Sequence, residues 1–118
     1  MNIEALRDYC VSKPYVTEHF PFDKDTLVFK VHHKMFALAS LKRWEAGDGF
    51  INLKCDPEKA LALREQYSSI KPGYHMHKQH WNSVYAQHGM LPIDLIKILI
   101  DDSYQLVFDN LPKRLQKL

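Results

Sequence analysis

A pair of strand-like segments joined by a very short connection constrains the fold more than any other feature of the chain. Leu27, Phe29 and Val31 are apolar at every second position, and residues 35–40 repeat this strand-like composition. A period of two places successive side chains on opposite faces of a strand. Residues 32–34 are too few for the crossover that parallel strands require, so we predict a hairpin within an antiparallel sheet.

Two further segments have the composition of strands. Residues 51–55 alternate in side-chain type after the loop-forming residues 45–49. Residues 80–86 place the aromatic side chains Trp81 and Tyr85 on one face of another predicted strand. The sheet is therefore expected to contain more than the hairpin.

Three helices are predicted around these strands. The first begins at the N-cap Asn2 and ends at Pro14, and the second begins with the cap and proline of residues 56–58. The second helix runs to about Tyr67, and the third runs from residue 92 to residue 109 with apolar positions at helical spacing. In the second helix the side chains predicted to pack inward are Leu61, Leu63 and Tyr67.

The number and order of these elements predict one domain that spans residues 1–118. A chain of 118 residues has the usual length of a single domain, and the sequence contains no internal repeat and no linker. We predict an α+β fold in which helices pack largely on one face of an antiparallel sheet. The predicted core consists of Leu27, Phe29, Leu53, Leu61, Ile96 and Tyr104.

Several classes of protein do not fit the sequence. No apolar run approaches the ~20 residues of a membrane-spanning helix. Charges of both signs near the N-terminus do not fit a signal peptide. We therefore expect a cytoplasmic protein without a membrane partner, in which Cys10 and Cys55 are free thiols.

Catalytic motifs are incomplete. Residues 68–71 (SSIK) have the spacing of an acyl-enzyme motif but lack its companion motifs. Gly47 and Gly49 lack the third glycine of a phosphate-binding loop and precede a strand. We expect no enzymatic activity, no catalytic residue and no cofactor.

The distribution of charge indicates a binding role. The net charge is only +2, yet no Asp or Glu lies between Gln66 and Ile93, where lysines and histidines alternate with aromatic residues. Such residues can neutralise phosphates while the rings stack on bases. The candidate nucleic-acid-binding residues come from this acid-free window and from the predicted loop before Trp44, namely Lys71, His75, His77, Lys78, His80, Lys42 and Arg43.

Parts of this window have alternative interpretations. His75, His77 and His80 could present imidazoles to a metal ion from an extended strand, but no carboxylate or cysteine accompanies them. We predict no bound metal. Trp81 and Tyr85 are typical of a buried core as well as of a stacking platform.

Three motifs together resemble the MmcQ/YjbR family. They are residues 51–58 (INLKCDPE), residues 72–76 (PGYHM) followed by Lys78 and residues 80–84 (HWNSV), and residues 103–107 (SYQLV). Their order and spacing match the family across essentially the full chain. The resemblance implies an α+β fold with an antiparallel sheet in a frataxin-like double-wing arrangement, and members are commonly labelled DNA-binding.

The chain also departs from the family pattern at two turns. Tyr15 occupies a position where glycine is common, and His32 with His33 replaces a glycine-containing hairpin turn. These departures bear on turn geometry more than on the overall fold.

The sequence is compatible with three functions. The first is weak binding of nucleic acid, with DNA expected from the resemblance. The second is a protein-interaction adaptor or homodimerising domain that uses a sheet edge or an apolar patch. The third is metal or small-ligand binding by the histidines. A continuous basic strip would favour the first, whereas exposed aromatics without lysines would favour the second.

Overall fold

Six strands form the centre of the molecule. The structure, a computed structural model, describes residues 1–117. The strands are β1 (Val16–His19), β2 (Thr26–Val31), β3 (Lys34–Ser40), β4 (Ile51–Lys54), β5 (Ile70–Pro72) and β6 (Trp81–Val84). They form one sheet in the order β1-β2-β3-β4-β6-β5, and each neighbouring pair is antiparallel. The predicted α+β fold with an antiparallel sheet is confirmed.

Side chains cap the start of three of the helices in residues 1–117. The helices are α1 (Ile3–Val11), α2 (Leu41–Glu45), α3 (Pro57–Gln66), α4 (Ile93–Asp109) and α5 (Lys113–Gln116). The side chain of Asn2 accepts a hydrogen bond from the backbone N–H of Ala5 at 2.8 Å, which satisfies one free donor of α1. Within residues 1–117, no helix has both the length and the apolar composition needed to cross a membrane.

Apolar side chains of the helices pack against one side of the sheet, which we call the helical face. Five of the six predicted core residues lie in this one cluster, namely Leu27, Phe29, Leu53, Ile96 and Tyr104. α1 adds Leu6 and Cys10 to the cluster, and α3 packs Leu63 and Tyr67 against it. The predicted arrangement of helices on one face is therefore correct.

Leu61 is the exception, and its predicted burial is wrong. Its side chain is 56% exposed, whereas the neighbouring Ala60 is fully buried. α3 faces the sheet through Ala60, Leu63 and Tyr67, which share one helical stripe. Leu61 lies about 100° away from Ala60 around the helix and faces outward.

Four short elements are not predicted by the sequence pattern, namely β1, β5, α2 and α5. β1 is a four-residue edge strand with a single strongly apolar residue, Val16, and β5 has three residues and ends at Pro72. Residues 42–44 form part of α2 instead of the predicted loop, because the side chain of Ser40 caps the backbone N–H of Arg43. Elements of three to five residues carry too little periodicity to be recognised.

The two turns that depart from the family pattern keep left-handed backbone conformations. The φ angles of His32 and His33 are 45° and 71°, as a two-residue hairpin turn requires at both central positions. Tyr15 has a φ of 64°, and its ring stacks on that of His32 with centroids 4.6 Å apart. Non-glycine residues therefore hold these turns, and the stacked rings connect them.

The opposite side of the sheet, the open face, has a different composition. Val28, Leu38 and Trp81 form a small apolar cluster there, packed against Met35 and Met76. The strand register also assigns several polar residues to this face, namely Thr17, His19, Thr26, Lys30, Ser40, Asn52, Lys54, Lys71 and Ser83. No Asp or Glu of the six described strands lies on it.

Candidate functional site

A cleft of about 460 Å³ lies at one end of the open face, beside the start of β2 and the end of β3. Its volume is typical of a small-ligand pocket. The residues that line it come from distant parts of the chain, namely Phe22, Asp23, Asp25, Thr26, Leu38, Ala39, Ser40, Lys42, Arg43, Phe50, Asn52, Tyr74, His75 and Met76.

Three aromatic rings give the cleft its walls. Phe22, on the connection between β1 and β2, is 64% exposed. Phe50 is buried just before β4, and the half-exposed ring of Tyr74 meets its ring edge-on, with centroids 5.9 Å apart. Exposed rings beside a buried ring offer flat apolar surfaces on which another ring can stack.

A buried polar network holds Tyr74 over the sheet. Ser83 Oγ donates to Asn52 Oδ1 at 2.5 Å and accepts from the backbone N–H of Tyr74 at 2.9 Å. Asn52 Nδ2 in turn donates to the carbonyl oxygen of Tyr74 at 3.1 Å. The backbone N–H and C=O groups of Tyr74 are therefore bonded to side chains of β6 and β4. These bonds hold the start of the following loop, which lines the cleft.

Arg43 is the cation with the most defined position in the cleft. Its guanidinium carbon lies 4.9 Å from the centroid of the Phe50 ring and 5.6 Å from that of Tyr74. Nη2 donates to Asp48 Oδ2 at 2.7 Å and is 3.5 Å from the Tyr85 hydroxyl. Among residues 1–117, neither Nε nor Nη1 has a protein hydrogen-bond partner, so the N–H groups on both nitrogens remain for an anion.

One wall of the cleft is acidic. Asp25 accepts hydrogen bonds from Ser40 Oγ at 2.6 Å and from the backbone N–H of Lys42 at 2.8 Å. Asp23 accepts from the backbone N–H groups of Thr26 and Asp25, and these bonds lower the pKa of its carboxyl group. Both carboxylates therefore organise the start of β2 and α2, and they give the cleft a polarity opposite to the Arg43 side.

Three of the predicted site residues line the cleft, and a fourth lies on the same face of the sheet. Lys42, Arg43 and His75 line the cleft. Lys71 lies on the open face in the edge strand β5, and its Nζ is 5.0 Å from the centroid of the Tyr85 ring. The structure thus joins the acid-free window to the basic pair before Trp44, which are far apart in the sequence.

The other three predicted residues lie elsewhere. His77, Lys78 and His80 belong to a turn before β6, and Lys78 Nζ donates to the carbonyl oxygen of Gly73 at 2.9 Å. The rings of His77 and His80 contact each other with centroids 5.0 Å apart. None of the three is among the residues that line the cleft.

The extended strand assumed for the histidine motif is wrong. Residues 73–80 form successive turns, and His75 has a φ of 57°. Turns replace the strand because the backbone of Tyr74 is bonded to Asn52 and Ser83. Residues 1–117 hold no group of three His, Cys, Asp or Glu side chains arranged to bind a metal ion. The absence of a bound metal stays a prediction.

The acid-free window is not free of acids in three dimensions. His88 Nε2 lies 2.8 Å from Asp48 Oδ1, although the two residues are 40 positions apart. Asp23 and Asp25 face the same cleft as His75. Tertiary packing therefore places carboxylates beside a segment that contains none.

Sequence reasoning missed two lysines and most of the cleft. Lys30 and Lys54 lie on the open face, and the alternation of Lys30 with Phe29 and Val31 could have identified its side. No local signal marks Phe22 or Tyr74 as parts of one cleft, because their place in it depends on how loops cross the sheet.

Comparisons with known proteins agree with this architecture. The YjbR family model matches residues 11–106. The Escherichia coli O157:H7 protein YbdF is 45% identical over 114 residues, which cover 97% of this chain and 90% of YbdF. The Escherichia coli K12 protein YjbR is 36% identical over 118 residues, which cover 100% of this chain and 97% of that protein. Both relatives are described as uncharacterised proteins.

Two solved structures are also similar. The crystal structure of Deinococcus radiodurans DR2400, with a DUF419 domain, has a TM-score of 0.90 at 37% identity and covers 98% of this chain and 86% of that one. A Pseudomonas syringae protein has a TM-score of 0.76 at 33% identity and covers 90% of this chain and 98% of that one. With the fold shared and the family model spanning most of its length, the chain belongs to the YjbR family.

Proposed function

We propose that this protein is a non-catalytic binding module that binds single-stranded nucleic acid across its open face. One observation carries the proposal: aromatic rings and basic side chains from separate segments meet in one cleft on the face without helices. Single-stranded nucleic acids bind to such surfaces, because rings stack on the bases and cations neutralise the phosphates.

The aromatic walls favour an unpaired base over a duplex. A cleft of about 460 Å³ can admit a planar base between Phe22 and Tyr74. A base within a duplex is stacked on its neighbours and cannot enter such a cleft without being flipped out. The ligand expected here is therefore a single strand, a loop or an end.

The charges of the open face favour a phosphate backbone. Lys30, Lys54 and Lys71 project from the described strands, and these strands contribute no carboxylate to that face. Arg43 adds the N–H groups of Nε and Nη1, which can donate to phosphate oxygens. The proposed path of the backbone therefore passes Arg43 and Lys71.

The acidic wall of the cleft gives the bound nucleic acid a preferred orientation. Asp23 and Asp25 repel phosphates, but carboxylates can accept hydrogen bonds from the amino groups of bases. Bases are therefore expected on the side of Phe22 and phosphates on the side of Arg43. This mixed polarity also limits affinity, in keeping with a net charge of only +2.

Fluorescence anisotropy with a labelled oligo(dT) strand at low salt and mildly acidic pH tests the proposal. With three to four phosphate contacts, the slope of log affinity against log salt should be about −2 to −3 for a single strand. Arg43→Gln should weaken binding about tenfold, since a charged hydrogen-bond donor is lost. The matched control is Lys113→Gln on α5, which removes the same charge away from the cleft and should leave affinity within about twofold.

No binding by the wild-type protein, or equal loss in both variants, would remove nucleic acid from consideration. A duplex of the same sequence should bind more weakly than the single strand. Equal affinity for both would mean that the phosphates alone are bound and that the aromatic cleft has no part.

A protein-interaction adaptor is the second candidate. Phe20 and Phe22 are both exposed on the connection between β1 and β2. Exposed aromatic side chains are frequent anchors of protein interfaces. A substitution at Phe20 distinguishes the two functions, because this residue does not line the cleft. Phe20→Ala should leave oligonucleotide binding unchanged and should weaken only a protein interaction.

A further inference from the structure

Asp48 contacts both Arg43, which lines the cleft, and His88, which lies outside it. Asp48 Oδ2 accepts from Arg43 Nη2 at 2.7 Å, and Asp48 Oδ1 lies 2.8 Å from His88 Nε2. Neither Asp48 nor His88 lines the cleft. The three side chains form a chain of contacts that reaches from the loop after β6 to the anion-binding side of the cleft.

His88 contacts two titratable side chains, Asp48 and Tyr85. Its ring lies 5.5 Å from that of Tyr85, measured between centroids, and the Lys71 ammonium lies on the same Tyr85 ring. The titratable and charged groups that face His88 in the described chain are therefore Asp48 and Tyr85, with Arg43 and Lys71 one contact further away.

We propose that Asp48 is a positioning residue that holds the Arg43 guanidinium toward the cleft, and that His88 sets the charge available there. The anion site concerned is the phosphate site of the proposed function, on which this inference rests for its natural ligand. Because Asp48 accepts only from Nη2, the N–H groups of Nε and Nη1 stay available to an anion.

The sign of the pH effect follows from the charges. The hydrogen bond from Arg43 and then that from His88 hold the pKa of Asp48 below its ordinary value, against partial burial, so Asp48 stays ionised near neutrality. Histidine is the side chain whose charge ordinarily changes between about pH 5 and 8. With neutral His88, the Arg43–Asp48 pair has no net charge; with protonated His88, the cluster carries one positive charge and binds anions more tightly.

Sulfate is a suitable probe because it remains a dianion over this pH range. Binding can be followed by NMR at the Arg43 Cζ signal at about pH 5.5 and about pH 8. The wild-type protein should bind sulfate roughly three to five times more tightly at the lower pH, the scale of one partly exposed ion pair. His88→Gln should bring this ratio close to one, whereas His77→Gln should leave it unchanged.

A second measurement separates positioning from charge. In the free protein, rotation of the Arg43 guanidinium about Nε–Cζ should be slow, which gives separate Nη1 and Nη2 signals at the lower pH. Asp48→Asn should merge these signals, and His88→Gln should preserve them.

The inference is overturned if sulfate does not perturb Arg43, if His88→Gln keeps the wild-type ratio, or if Asp48→Asn leaves the rotation slow. A ratio that disappears only in His75→Gln would assign the pH dependence to the cleft histidine instead. Failure of the proposed function looks different: sulfate would bind with the expected pH dependence, but oligo(dT) would not bind.

Discussion

The hydroxyl of Ser83 lies 2.5 Å from Oδ1 of Asn52, and both side chains are almost completely buried beneath the loop that carries Tyr74. Ser83→Ala removes a donor to Asn52 and the acceptor of the Tyr74 N–H. We expect a loss of about 1–3 kcal/mol in the free energy of unfolding, because buried polar groups lose their partners. Urea denaturation measures this loss, and Ser69→Ala provides the control. Equal stability of the two variants would show that the network does not hold the loop.

Substitution by alanine should reduce the free energy of unfolding far more at Leu53 than at Leu61, although the two side chains are identical. Leu53→Ala should cost ~2–5 kcal/mol, since the side chain is buried among the strands and α4. Leu61→Ala should cost less than about 0.5 kcal/mol, because the residue faces outward. Chemical denaturation of both variants checks the register of β4 and the orientation of α3. Comparable losses would contradict that orientation.

The two thiols should react at different rates. Burial raises the pKa of Cys10 to about 12, so its reactive thiolate is scarce near neutral pH. Cys55 is half-buried, and burial raises the pKa of its thiol as well. Ellman's reagent at mildly alkaline pH should modify Cys55 slowly and Cys10 only on unfolding, as mass spectrometry of the modified peptides would show. Faster modification of Cys10 in the native protein would contradict its burial.

Lys71 should matter more for binding than an equally charged residue on the other side of the molecule. Lys71→Glu places a negative charge on the open face beside Tyr85, whereas Lys113→Glu makes the same change on α5. We expect Lys71→Glu to reduce oligo(dT) affinity about tenfold more than Lys113→Glu and to make the salt slope shallower. Anisotropy titrations at several salt concentrations measure both effects. Identical behaviour of the variants would mean that net charge alone governs binding.

The protein should carry no stoichiometric zinc or iron. His77 and His80 contact each other, but residues 1–117 hold no group of three His, Cys, Asp or Glu side chains that could bind a metal ion. Elemental analysis of protein purified without an affinity tag tests this. One equivalent of metal that is lost in a His75→Gln, His77→Gln double variant would restore the metal-binding hypothesis.

Local patterns in the sequence were sufficient for most of the fold. The alternation of Leu27, Phe29 and Val31 and the short turn after them predicted the hairpin, because strand geometry has a period of two and short connections join only antiparallel strands. The caps at Asn2 and Asp56 predicted where α1 and α3 begin, because each side chain bonds its own helix. Such interactions join residues close in sequence and can be read from the chain alone.

The cleft was decided by tertiary structure. Arg43 meets Tyr74 only because the loop after β5 crosses β4 and β6, where Asn52 and Ser83 bind its backbone. Contacts of this kind join residues distant in sequence, and no local periodicity encodes them. The sequence by itself determined which segments form strands and helices and which residues carry charge, whereas packing decided which of those charges share a surface.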